Sequence, residues 1–409
     1  MTLSQVFGID PQDAARLERA GVHTVPDLAR ITDPAELSAR SHVPLESIER
    51  WRASAQIKAA AVRRWRRLLA LLAAFTVVLL GAIGVWSYKK GISLQLDQAI
   101  QYYNRGNALL DDGHWDDAIT EYRKALALKP DFAEAHGNLG NALDDKREYD
   151  AAIAEYEKAL ALKPDFAKAW YNLGYTLGDK GDYAGAIAEY RKAVALKPDF
   201  AKAHNNLGVA LDKVGEYPAA IAEYRKAVGL EPDSAEAHNN LGVALHKNGE
   251  YAAAIAEYRK ALALKPDFAE AHTNLGVTLD QNGDYAGAIA EYRKAVALKP
   301  DSAEANDGLG YALAEQRKFD EAIPYVEKAL RTMAGDPNIL DSLGFALAGK
   351  GEYRAAISKY QQALRSGPKM AIIHFHLAQT FQQAGRKSEA EAELKEAYRL
   401  DPTLKGKSQ

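Results

Sequence analysis

Six asparagines stand at steps of 34 residues: Asn104, Asn138, Asn172, Asn206, Asn240 and Asn274. A carboxamide offers two donors and an acceptor, so it can hold a peptide group by a paired hydrogen bond. A row of them would grip an extended chain through its backbone, largely regardless of sequence. The next three steps hold Gly308, Ser342 and His376 instead. Asp111, Asp144, Asp145, Asp179 and Asp212 lie close by in sequence and make that half acidic, which favours a basic or polar partner segment.

Other chemistry finds little support. The chain has no cysteine, which excludes disulfides, thiol nucleophiles and cysteine-ligated metals. Of ten histidines, His136, His204, His238 and His272 recur at equivalent places, at least one helix pair apart and too distant to share a metal held at roughly 2 Å. His374 and His376 are two residues apart and leave a helix on different faces. All six read as packing residues. Glu155 and its copies recur without forming a distinct acid/base pair, and no phosphate-binding glycine loop occurs. No catalytic residue, cofactor or metal is expected.

The spacing belongs to a repeat. From Ala99 to Leu404 the chain reads as nine units of 34 residues: 99–132, 133–166, 167–200, 201–234, 235–268, 269–302, 303–336, 337–370 and 371–404. Each carries a helix–turn–helix pattern: Leu139-Gly140, Ala152, Tyr156, Ala159, Leu160 and Pro164 in the second unit, for example. Small Gly140 and Ala152 let two helices approach, while Tyr156 and Leu160 fill the space between units. Pro164 ends the second helix, and Asp165 is expected to cap the next. The pattern resembles the tetratricopeptide repeat. The resemblance implies an all-α solenoid, a right-handed superhelix with a concave groove lined by each unit's first helix. It places the six asparagines on that groove, like the asparagine ladder of O-linked N-acetylglucosamine transferases. A clamp for a terminal carboxylate is not expected, because Tyr103 and Asn172 stand where lysine and arginine are needed. The polar ninth unit is expected to cap the stack itself, with 405–409 as a short tail.

The net charge of −3 conceals an asymmetry: −3 over residues 1–50, +8 over 51–90 and −8 beyond. The 19 residues Leu68 to Trp86 are uncharged and as a helix would span about 28 Å, near the thickness of a bilayer core. Trp65, Trp86 and Tyr88 flank the run at headgroup level, and Arg63, Arg64, Arg66 and Arg67 crowd its amino-terminal side. A transmembrane helix over 68–88 is expected, preceded by a basic juxtamembrane segment at 58–67 and followed by a short linker at 89–98. The positive-inside rule puts the amino terminus in the cytoplasm and the array across the membrane, in the periplasm if the membrane is a bacterial inner one.

Residues 1–57 alternate short helical segments with turns and resemble a tandem helix-hairpin-helix domain. In DNA-binding members of that family a Gly-hydrophobic-Gly hairpin cradles a phosphate. Here Gly8-Ile9 is followed by Asp10, and the module is acidic, so protein interaction or oligomerisation is favoured over nucleic acid. The expected function is a non-enzymatic membrane-anchored scaffold that binds proteins or extended peptides. The alternatives are a substrate-recruiting subunit of an envelope glycosyltransferase or other enzyme complex, and a membrane-tethered DNA-binding or signalling protein.

Overall fold

The structure is a computed structural model that describes residues 2–407. It is helical throughout, with no strand among the described residues, and divides into two units, 1–98 and 99–409. In the first, α1 (Leu3–Phe7), α2 (Pro11–Arg19), α3 (Val25–Ala29) and α4 (Pro34–Ser41) precede the start of α5 (Leu45–Asp111). Asp10, Thr24 and Asp33 cap α2, α3 and α4, each followed by proline in the first turn. Leu3, Leu17, Leu28 and Ile48 are fully buried together and form this module's core.

Helix α5 runs for 67 residues without a break. Residues 89–98, expected as a linker, are therefore helical. They contain no proline, and the one glycine, Gly91, costs a helix only about 1 kcal/mol. Every residue from Lys58 to Gln98 except Ala59 is exposed, including Leu71, Phe75, Val78, Leu80 and Trp86.

The second unit is the repeat array, whose first helix is the end of α5. The fifth repeat shows the construction, with helices Ala235–Lys247 and Tyr251–Leu264 joined at a tight corner. The corner needs a left-handed residue, supplied by Gly249 at φ 81° and by glycine in six other repeats. Arg147 and Arg317 are forced into it at φ 62° and 61°. Helix pairing depends on Gly242. A Cβ there would lie 2.6 Å from the ring of Tyr258, which is buried to 1% exposure. Gly140–Tyr156, Gly208–Tyr224 and Gly276–Tyr292 repeat that contact. Each second helix also packs on the next unit's first helix, so Leu207, Leu211, Leu241, Leu245 and Leu275 join one continuous core.

Two local expectations are corrected. Asp165 does not cap the following helix: the cap position is Phe166, and Asp165 gives only its backbone carbonyl, to Ala167 N–H. The proline turn places the aspartate one residue too early. Ser234 and Ser302, standing in the phenylalanine position, do cap, accepting from Ala237 and Ala305. The ninth repeat is also closed by more than its own polar face. A 3-10 turn, Pro402–Lys407, follows it and buries Leu404 against Phe375 and Ala397.

Candidate functional site

First helices of consecutive repeats pack on one another, with no comparable packing between second helices. The array therefore curves with the first helices on its inner wall. Concavities lie along that wall. One of about 300 Å³ is lined by Tyr171, Tyr175, Lys202, Asn205 and Asn206, and one of about 240 Å³ by Tyr175, Asp179, Asn206 and Lys213. Tyr175, 43% exposed, and Asn206 border both.

Five of the six asparagines reach back across a repeat boundary. Asn138 Nδ2 donates to Tyr103 Oη at 3.1 Å and Asn107 Oδ1 at 2.8 Å, and Asn172 Nδ2 to Asn141 Oδ1 at 2.7 Å. Asn206 donates to Tyr171 Oη at 3.0 Å, Asn240 to Asn205 Oδ1 at 3.2 Å and Asn274 to Asn239 Oδ1 at 3.1 Å. Asn104, in the first repeat, is exposed. Asn138 spends both N–H groups on that link, whereas Asn172, Asn206, Asn240 and Asn274 each keep a second N–H; the carbonyls of Asn138 and Asn206 accept from Asn141 and Asn205. The row is thus an inter-repeat strap with residual hydrogen-bonding capacity. Gly308 ends it, Ser342 bonds its own helix at Asn338, and His376 restores the link with a hydrogen bond, Nδ1 to Asp341 Oδ1 at 2.9 Å.

The five aspartates divide by environment. Asp111, Asp145 and Asp179 are exposed. Asp144 accepts from Thr176 Oγ1 at 2.7 Å, and Asp212 pairs with Lys247 at 2.5 Å. Burial pushes the Asp144 carboxyl up, opposed by the Thr176 hydroxyl and reinforced by Asp179; burial alone raises Asp145.

The recurring histidines have a role that packing alone does not describe. His136, His204, His238 and His272 each place Nδ1 2.6 Å from a glutamate of the paired helix (Glu155, Glu223, Glu257, Glu291), and His374 repeats this with Glu393. Their Nε2 atoms lie 3.0–3.3 Å from the carbonyls of Pro130, Pro198, Pro232, Pro266 and Pro368. Each imidazole thus bridges a carboxylate of the paired helix and a carbonyl of the preceding turn. Trp170 and Asn306 occupy the same position and keep the proline-carbonyl bond, at 2.8 Å each. These staples tie each unit to the turn before it. The sequence signal was present: each of the five histidines has a glutamate 19 residues on.

Among the described residues no group of histidines and carboxylates has metal-site geometry. In the amino-terminal module, Asp10 Oδ1 accepts from Gln12 N–H at 2.8 Å.

No curated protein matches the chain. Among solved structures, a crystal structure of YrrB, described as a TPR protein with an unusual peptide-binding site, is 27% identical, covering 45% of this chain and 95% of that one (TM-score 0.41). A crystal structure of MamA is 30% identical over 40% of this chain and 95% of its own (0.38). PilF of Pseudomonas aeruginosa is 23% identical over 52% and 97% (0.47). Family models described as "Tetratricopeptide repeat" match residues 103–165, 205–269, 247–303, 273–337 and 343–404, with a further one at 155–188 and a "TPR repeat" at 177–215. With more than half its length so matched, the chain belongs to the tetratricopeptide repeat family.

Proposed function

We propose that this protein is a membrane-anchored, non-enzymatic scaffold whose inner wall binds an extended peptide segment of a partner protein. The observation that carries the reading is the amide row on the first helices. Each amide is oriented by a bond to the previous repeat and retains hydrogen-bonding capacity. Two concavities open beside it. A pre-oriented polar group loses little freedom on binding, which favours peptide capture. The aspartates Asp111, Asp145 and Asp179 add a rim that attracts a basic segment.

The anchor is the stretch 68–88 of α5, whose hydropathy suits a bilayer and of which no residue is buried against protein. Arg63, Arg64, Arg66 and Arg67 are exposed beside it and suit anionic headgroups. By the positive-inside rule the amino-terminal module is cytoplasmic and the array faces the periplasm of a bacterial cell. That module acts as a protein-interaction or oligomerisation element, since Asp10 fills and repels the site a DNA phosphate would use.

Capture of peptide by the full chain in detergent tests the groove. Asn172→Ala with Asn206→Ala and Asn240→Ala should abolish it. Tyr171→Phe removes only the strap acceptor of Asn206 and should leave capture intact. Capture that survives the triple substitution removes the ladder. Protease protection in spheroplasts tests the topology: an array degraded only after lysis would place it in the cytoplasm and reverse the orientation.

A further inference from the structure

The inner wall changes character beyond the fifth repeat. The first helices of repeats six, seven and eight (Ala269–Gln281, Ala303–Glu315, Pro337–Gly349) carry Glu270, Asp280, Glu304, Asp307, Glu315 and Asp341, with no lysine or arginine. Those of repeats three to five mix their acids with Lys168, Lys202, Lys213 and Lys247.

Asp280 shows what is missing. At the same position, Asp144 receives a hydroxyl from Thr176 of the next repeat, and Asp212 receives Lys247. The corresponding places beside Asp280 hold Ala312 and Glu315, so both donors are absent. Asp280 Oδ1 is sealed from solvent without a hydrogen-bond partner, as are Asp307 Oδ1 one repeat on and Asp212 Oδ1, but Asp212 has Lys247 on its other oxygen. Burial pushes both carboxyls up to about 6. Glu315 adds to this at Asp280; at Asp307 the Ser342 hydroxyl opposes it, and Asp336 and Asp341 add to it. A half-buried carboxylate with one oxygen lacking a donor is costly, and a cation supplied from outside relieves that cost.

Aromatic rings accompany the acids. Tyr311 and Phe345 lie 5.6 Å apart between centroids, and Phe345 and His376 also 5.6 Å. Such faces attract ammonium and guanidinium groups. A concavity of about 460 Å³ beside them is lined by Glu315, Phe345 and His376. Arg317 also lines it but makes no ion pair with Asp280, Asp307 or Glu315 among the described residues. Asp341 is already matched by His376.

We propose that the inner wall of repeats six to eight binds lysine or arginine side chains of the peptide lying in the groove. Asp280, Asp307 and Glu315 supply the carboxylates, and Tyr311 and Phe345 the ring platform. This rests on the groove reading above and names the partner's chemistry: a segment with basic residues toward the end that lies on the carboxy-terminal repeats. Helices in contact are about 10 Å apart and an extended peptide advances about 3.3 Å per residue, so a basic residue at every third position matches the repeat.

The test uses the full chain in detergent and three labelled peptides, each of five triplets: Gly-Ser-Lys, Gly-Ser-Asn and Gly-Ser-Glu. Fluorescence anisotropy at low salt should show the lysine peptide binding at least roughly tenfold more tightly than the asparagine peptide. Asp280→Asn combined with Asp307→Asn should cut that margin at least roughly threefold, the rest being held by Glu315 and the rim aspartates, and leave the asparagine peptide's affinity unchanged. Removing two strained charges does not threaten the helices, so far-ultraviolet circular dichroism should be retained. Equal affinity for the lysine and asparagine peptides, or a margin that the double substitution does not diminish, overturns this proposal while the groove reading stands. If none of the three binds, the groove reading falls and this inference with it.

Discussion

Gly242→Ala is the sharpest probe of how the helices of a repeat meet. The added Cβ would lie 2.6, 2.8 and 2.9 Å from Cε1, Cδ1 and Cζ of Tyr258. Ordinary carbon contacts begin at about 3.5 Å, so ring or helix must yield by nearly 1 Å. Tyr258 is 1% exposed and enclosed in the continuous core, so it has no free direction. Overpacking of this kind costs about 1–3 kcal/mol, partly offset by alanine's helix preference of about 1 kcal/mol. The control is Gly229→Ala. Gly229 is exposed on the second helix of repeat four, where a Cβ meets nothing within 4 Å. It should gain up to about 1 kcal/mol from helix propensity alone. Urea unfolding of the full chain in detergent should therefore shift in opposite directions for the two variants. In a Tyr258→Leu background the Gly242→Ala penalty should vanish, giving a coupling of about 1–3 kcal/mol. If Gly242→Ala stabilises as much as Gly229→Ala, the close approach is not what pairs the helices.

Three further outcomes follow from the same geometry. Arg147→Gly and Arg317→Gly relieve a left-handed corner and should each stabilise the array by about 1 kcal/mol in thermal melts; a loss would mean those arginines hold the corner by contacts of their own. His238→Ala removes the imidazole that bridges Glu257 and the Pro232 carbonyl and should cost about 1–3 kcal/mol, whereas His238→Trp, keeping the bond that Trp170 makes, should cost less. Asp280 and Asp307, raised to about 6, bind protons more readily folded than unfolded, so their contribution makes stability rise as pH falls from 7.5 toward 5. Further acidification should then reduce it. Burial pushes Glu223, Glu257 and Glu291 up, but hydrogen bonds from lysine and histidine outweigh it and leave them below their ordinary range. Their stabilisation is therefore lost only as pH falls through that lowered value. Urea midpoints across pH check both signs, and Asp307→Asn should flatten the upper limb.

The period made the repeat legible, because leucine, glycine, alanine and tyrosine at fixed spacing are what a pair of close helices requires. The asparagine row was visible for the same reason. Its partners were not: Tyr103, Tyr171, Asn205 and Asn239 lie 35 residues back, at a position that varies, and only the superhelical offset brings them beside Asn138, Asn206, Asn240 and Asn274. Asp165 misled because a helix start after a proline turn is set by backbone direction as well as by residue type. The continuity of α5 through 89–98 was concealed by a charge pattern that suggests separate segments, although nothing in that stretch breaks a helix.

Near-identical copies separate packing from function. Leu139, Leu173, Leu207, Leu241, Leu275, Leu309 and Leu343 are all buried at one position, where repeats two to eight need the same contact, while the first repeat carries an exposed Arg105 there. Two places earlier the same helices carry Gly137, Tyr171, Asn205, Asn239, Thr273, Asp307 and Asp341. Packing cannot ask for such variety, since the neighbouring leucines and glycines are held fixed around it. Had stability alone shaped repeat seven, threonine in place of Ala312 would give Asp280 the donor that Asp144 has in Thr176, at no cost to the helix pair. The wall instead passes from amides to carboxylates, of which Asp280 and Asp307 each leave one oxygen without a donor, beside aromatic rings. Stability is forgone there, as it is at sites that leave a charge for something else to neutralise. On the proposed groove reading, partner choice rests with the solvent-facing variable positions of the first helices, while buried ones such as Asn239 and Asp341 serve the links between repeats, and the repeat signature supplies only the spacing.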